Sequence, residues 1–213
     1  MPRSSPVPDI TTLFWDIGGV VLTNGWDRHA RRDAATHFGF DWDEFQDRHD
    51  LAFPAFDAGN TSLDEYLNRT LFYRHRDFTR EQFVDFMYAQ SKACPGMIEL
   101  FAQLKVRHRL KIVALSNEAR ELNDYRIEQF GFTGYFDFFF SSCYVGLRKP
   151  APRIYQLALD VLQCEPGEVI FIDDRQGNAD AAASLGIHTI KYEGSEQLAQ
   201  ALSRFEIHVG KTT

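Results

Sequence analysis

Cysteine is scarce in this 213-residue chain: Cys94, Cys143 and Cys164 are the only three, and none sits in a Cys-x-x-Cys spacing. An odd, sparse set excludes a disulfide framework and a cysteine-built zinc site, and it points to free thiols in a reducing cytoplasm. No apolar run approaches the roughly 20 residues that a bilayer-spanning helix needs. Met1 to Asp9 is polar, with prolines and serines, and lacks the apolar stretch of a signal peptide. Positions 1–9 and 207–213 are expected to be flexible termini. Basic excess is also missing. The formal charge is -7, which argues against nucleic acid as a partner, since phosphate backbones reward basic patches. Internal repeats and low-complexity segments are absent. What remains is a chain with no nucleic acid and no membrane as partner, monomer or homodimer, long enough for one sizeable core and a modest accessory unit.

The chain has two textures. Thr11–Trp15 is a short apolar run with the look of a buried strand. From about Trp26 to Lys92, apolar residues recur at helical intervals: Phe45, Leu63, Leu67, Leu71, Phe83, Phe86 and Met87. Asp41 and Thr79 are placed to cap helices, each with Glu or Gln three residues on, and Gly39 and Gly59 to stop them. After Cys94-Pro95-Gly96 the pattern changes. Helical segments at 97–106, 118–130, 152–162, 178–185 and 195–203 alternate with strand-like segments at 111–115, 138–141, 169–172 and 189–192. Such alternation predicts an α/β fold: a Rossmann-like parallel sheet with helices on both faces. The helical segment is then an insertion after the first strand. The expected division is a core of 10–24 and 94–206 and a small helical cap at 25–93, with hinges at Asn24-Gly25 and Cys94-Pro95-Gly96.

Four polar elements border the apolar runs, and the carboxyl ends of parallel strands are where ligands bind. Asp16 follows the first strand and precedes Gly18-Gly19; it is either a turn cap or a nucleophile and metal ligand. Ser116 and Asn117 end the next strand, where they cap a helix, bind phosphate, or both. Lys149 precedes Pro150, outside a helix; alone it is a solvated charge, while among carboxylates it offsets their repulsion and holds a phosphate. Asp173-Asp174 closes Val-Ile-Phe-Ile. Two adjacent carboxylates at the mouth of a buried strand make either an exposed turn or a site for a cation such as Mg2+.

The four elements, in this order on this alternation, resemble the haloacid dehalogenase superfamily from Leu13 to about Phe205. Within it the chain is similar to the subgroup of glucose-1-phosphate phosphatases and the N-terminal phosphatase domain of soluble epoxide hydrolases. The resemblance implies a hydrolase that forms an aspartyl-phosphate on Asp16. Ser116, Asn117 and Lys149 would hold the phosphate of a small phosphorylated metabolite. Mg2+ would be held by Asp16, Asp174 and the carbonyl of Gly18, with Asp173 in support. Most phosphatases of the family carry a second aspartate where this chain has Gly18, which removes the group that would protonate the leaving alcohol. Asn24 and Asp173 are the candidates to hold a water in its place. Hydrolytic dehalogenation of a 2-haloacid, or phosphate-ligand binding without turnover, are the alternatives. The acidic pair favours the metal and the phosphate.

Overall fold

A computed structural model describes residues 9–209. Five parallel strands form one sheet in the order β3-β2-β1-β4-β5. They are β1 (Thr12–Trp15), β2 (Lys111–Ser116), β3 (Phe138–Ser141), β4 (Val169–Asp173) and β5 (His188–Lys191). β1 is central, paired with β2 and β4 at once. The chain therefore builds outward on one side through β3 and then crosses back to β4. That reversal makes the β1–β4 boundary the switch point, outside whose carboxyl ends a crevice opens.

Side-chain alternation explains the two covered faces. Leu13 and Trp15 point to one side with Ile112, Ala114, Ile170 and Ile172, under α5 (Met97–Arg107) and α10 (Ser195–Ser203). Phe14, Val113, Leu115 and Phe171 point to the other, under α8 (Pro152–Leu162) and α9 (Gln176–Ala183). Near-continuous apolar strands are what a sheet buried on both faces requires. Ile207 is 4% exposed and packs into the first of these clusters. The ordered core thus runs past the expected boundary at 207, because an apolar side chain there finds a pocket. Residues 1–8 and 210–213, where the rest of the flexible termini was expected, lie outside the described residues.

Between β1 and β2 lie α1 (Arg28–Phe38), α2 (Trp42–Asp57), α3 (Leu63–Thr70) and α4 (Arg80–Ala89). They enclose a cluster around Phe45, Tyr66, Leu67 and Phe83 that also takes in Ala119 and Leu122 of the core. Thr79 and Gln82 form the full reciprocal capping box; Asp41 accepts from the Glu44 N–H, but Glu44 turns its carboxylate to Tyr73 and Arg74 instead. The two linkers of this segment run side by side. Thr23 N–H donates to the Lys92 carbonyl (2.8 Å) and Cys94 N–H to the Val21 carbonyl (2.9 Å).

Helix α6 (Arg120–Gln129) begins two residues later than the sequence pattern suggests. The Glu118 N–H donates outward to Ser142 Oγ (2.9 Å), and Ala119 takes an extended backbone as the N-cap. Ser142 itself opens α7 (Ser142–Val145), a single turn with no periodic signature in the sequence.

Candidate active site

Asp16 stands one residue beyond β1, where its N–H still donates to Ile172 of β4 (2.9 Å). The residue is 7% exposed. Its Oδ1 accepts from the Ile17 N–H (2.8 Å) and pairs with Lys149 Nζ (2.9 Å). Oδ2 has no protein partner among the described residues. Burial pushes the carboxyl up to about 7, against the pull of Lys149 and with the repulsion of Asp173.

Lys149 is itself buried, and the same Nζ donates to Asp173 Oδ2 (2.6 Å). One ammonium thus bridges two carboxylates from neighbouring strand ends. Asp173 is saturated: its oxygens also accept from the Arg175 N–H (2.8 Å) and from Asn178 Nδ2 (3.0 Å to each oxygen). It orients the lysine and has no lone pair left to position a water, which corrects that expectation. Asp174 differs. Its Oδ1 is buried with no partner, and burial together with Asp173 raises its pKa. Asp16, Asp173 and Asp174 bring carboxylate oxygens within 4.8 Å of one another. A hard oxygen set with one orphaned member fits a small divalent cation such as magnesium. Gly19 (φ 78°) is needed beside it, since a Cβ there would sit 2.3 Å from Asp174 Oδ2.

Asn117 is brought to the crevice, but both ends of its side chain are taken up by Lys149. Nδ2 donates to the lysine carbonyl (2.9 Å) and Oδ1 accepts the lysine N–H (2.8 Å). Its side chain therefore positions Lys149, and one of the two Nδ2 protons is left over for a ligand in the crevice. Ser116 Oγ is buried and unpartnered.

Ser116 lines a separate small cavity with Asn123 and Arg126, and the crevice over Asp16, Gly18, Asn117 and Lys149 has a volume of about 400 Å³. Its other wall comes from α1 and α2, with Trp26, Arg31, His49, Phe53 and Phe56. Arg126 and Glu118 line it too, paired Nη1 to Oε2. Burial raises the Glu118 carboxyl despite that partner. Arg126 Nε donates to Ser91 Oγ (3.0 Å), and a Cβ on Gly25 (φ 66°) would lie 1.8 Å from its Nη2. One guanidinium therefore packs against both linkers. Asp57, at the end of α2, pairs with Arg148 of the core, and its carbonyl accepts from Ser142 Oγ (2.6 Å). Arg126, Glu118 and Asp57 look like solvated surface charge in the sequence, and no local signal marks them.

A family model for haloacid dehalogenase-like hydrolases matches residues 10–186. The chain belongs to this family. It is a hydrolase on the α/β fold that its strand–helix alternation predicts. It is 30% identical over 179 residues to flavin mononucleotide hydrolase 1 of Arabidopsis thaliana, covering 84% of this chain and 72% of that one. It is 47% identical over 78 residues to acyl-CoA dehydrogenase family member 10 of Mus musculus, 35% of this chain but only 7% of that relative. A haloacid-dehalogenase-family enzyme from Bacteroides thetaiotaomicron, crystallised with magnesium and inorganic phosphate, shares the fold. Its TM-score is 0.74 at 22% identity, over 86% of this chain and 94% of that one. The L-2-haloacid dehalogenase of Xanthobacter autotrophicus shares it as well (TM-score 0.60, 21% identity, 91% and 82% covered). Among the described residues no helix is long and apolar enough to cross a membrane.

Proposed function

We propose that the protein is a magnesium-dependent phosphatase of small phosphorylated metabolites, acting through an aspartyl-phosphate on Asp16. The observation that carries this reading is the acidic cluster: a buried lysine bridges Asp16 and Asp173 while Asp174 keeps an orphaned oxygen. A dehalogenase has no chemical use for that orphan. Magnesium, held by Asp16, Asp174 and the Gly18 carbonyl, would neutralise phosphate charge.

The unpartnered Asp16 Oδ2 attacks phosphorus, and the bond to the leaving oxygen breaks. Lys149 offsets the negative charge gathered there, and Asp173, Asn178 and Asn117 hold it in place. The second Nδ2 proton of Asn117 is left for a phosphate oxygen. Water then attacks the acyl phosphate and returns the Asp16 carboxylate with inorganic phosphate. Gly18 supplies no acid, so leaving groups that depart with little protonation fit best, aryl and anomeric phosphates among them. The helices from 25 to 93 act as a cap that excludes water from the acyl phosphate. Its seams are the Asp57–Arg148 pair and the paired linkers.

The test is phosphate release from a panel of aryl, sugar and nucleotide monophosphates, with and without magnesium. The name of the Arabidopsis relative places flavin mononucleotide in that panel. Release should need magnesium and should vanish in Asp16→Asn, which keeps shape and loses the nucleophile. Halide release from 2-haloacids with no phosphate release would replace this reading by dehalogenation.

A further inference from the structure

We propose that the cap wall of the crevice holds a second anion site, formed by Arg31 and His49, for a carboxylate or phosphate at the far end of the substrate's leaving portion. It rests on the phosphatase reading and adds the class of substrate.

Arg31 lies on the apolar stripe of α1 and is 8% exposed. Arg31, Arg126 and Lys149 are the buried cations among the described residues. Arg126 pairs with Glu118, and Lys149 with Asp16 and Asp173. Arg31 has no ion pair. Its Nη1 donates to the Trp26 carbonyl (2.7 Å) and its Nε to Gln46 Oε1 (3.2 Å), two neutral acceptors that fix the fork. Nη2 has no protein partner among the described residues. Asp27 and Asp50 are near enough to favour the charge. Each is engaged elsewhere, Asp27 with the Ala30 N–H and Asp50 with Gln46 Nε2. Asp27 and Asp50 line the same crevice and offset part of the charge from a distance, but neither touches the guanidinium, so burial lowers its pKa and its Nη2 edge stays open for an anion that arrives with the substrate.

His49 stands beside it on α2. Trp26 Nε1–H donates to Tyr66 Oη (3.0 Å), and Tyr66 Oη lies 2.7 Å from His49 Nδ1. Tyr66 Oη accepts from Trp26, and in the tautomer where it gives its one proton to Nδ1 the ring carries its own proton on Nε2. Nε2 has no protein partner among the described residues. Burial and Arg31 hold the imidazole down at about 3, so it remains a neutral N–H donor across the physiological range. A fixed cation with a fixed neutral donor beside it suits an anionic oxygen group. Arg31 and His49 line the same crevice as Asp16 and Lys149, with the apolar rings of Trp26, Phe53 and Phe56 in the wall around them. The favoured substrate is therefore a phosphomonoester with a second anion beyond an apolar stretch.

The experiment is calorimetric binding, with magnesium, of alkyl phosphonates of increasing length. Each ends in a carboxylate or in the isosteric carboxamide. At one length the carboxylate should bind about tenfold or more tighter than the carboxamide. Arg31→Gln should remove that preference and leave inorganic phosphate binding unchanged. Arg31→Lys should retain part of it, and Tyr66→Phe, which releases the His49 tautomer, should weaken it. Equal binding of carboxylate and carboxamide at every length overturns the second site and leaves the phosphatase reading standing. Failure to bind inorganic phosphate with magnesium overturns the reading beneath it. If Arg31→Gln does not fold, the parent's preference and the Arg31→Lys comparison decide.

Discussion

Replacing Lys149 by methionine tests the electrostatic account of the site most directly. The lysine lies 2.9 Å from Asp16 Oδ1 and 2.6 Å from Asp173 Oδ2, and all three groups are buried. Methionine keeps the length and the apolar stem and deletes the charge. Breaking a buried pair by removing one partner costs about 3–5 kcal/mol, because the other charge is left uncompensated. In a chain of this size that is a fall in melting temperature of roughly 6–20 °C. The loss should depend on pH. Asp16 already sits at about 7 through burial, and without the lysine it rises further. A carboxyl raised in the folded state favours folding at low pH, and that contribution is lost as pH climbs through the folded value. The deficit of the variant should therefore be smaller near about pH 5.5, where Asp16 protonates and Asp173 alone is left without its cation, and full near about pH 8, where both are. Magnesium should recover stability more in the variant than in the parent, since the cation then balances an otherwise bare cluster; saturation at about 100-fold over Kd is worth roughly 2.7 kcal/mol. Thermal unfolding at both pH values, with and without magnesium, gives the answer. An equal deficit at the two pH values, or magnesium rescue no greater than in the parent, would refute the reasoning.

Gly18→Asp should raise turnover of alkyl phosphates by about tenfold or more and change aryl phosphates little, since a general acid contributes 10²–10⁴ where the leaving group needs a proton. A Cβ there meets Asn24 Oδ1 at 3.3 Å, a modest adjustment; steady-state kinetics on both classes decide, and an unchanged alkyl rate rejects the idea. Gly25→Ala should cost about 2 kcal/mol or more, from its φ of 66° and the collision with Arg126 Nη2. Denaturant titration checks this, and wild-type stability would show that Arg126 does not pack there. Asp57→Asn removes the charge that holds Arg148 and should raise KM several-fold with kcat nearly unchanged. Faster amide exchange at the end of α2 should accompany it, and unaltered exchange contradicts a role in cap seating.

The sheet and most of its helices were legible because their signals are local. Val169–Asp173 is apolar without a break, and Thr79–Gln82 carries its capping box in four letters. The positions of Asp16, Lys149 and the acidic pair were legible as well, since each closes or borders such a run. What each side chain touches was not. Asn117 has the composition of a phosphate ligand, but the fold brings the Lys149 backbone against both ends of its amide. Arg126 is one charge among many in α6, and only tertiary contact places it under Gly25 and Ser91. Arg31 and His49 did leave a trace. Arg31 precedes Ala34 and Ala35 by three and four residues, and His49 falls midway between Phe45 and Phe53. Both are polar residues on buried stripes, a conflict of pattern that marks a site.

The adjacent linkers have a consequence for how this protein changes over time. Thr23 with Lys92 and Val21 with Cys94 bring the two ends of the inserted helices together at one hydrogen-bonded seam. A segment whose ends meet can lengthen, shrink or be exchanged without moving the strands it interrupts, because the sheet senses only that seam. The residues proposed for bond breaking belong to the sheet, and those proposed to recognise the rest of the molecule belong to the segment. Substrate preference can thus drift, or be grafted from another protein, while the machinery that cuts stays the same.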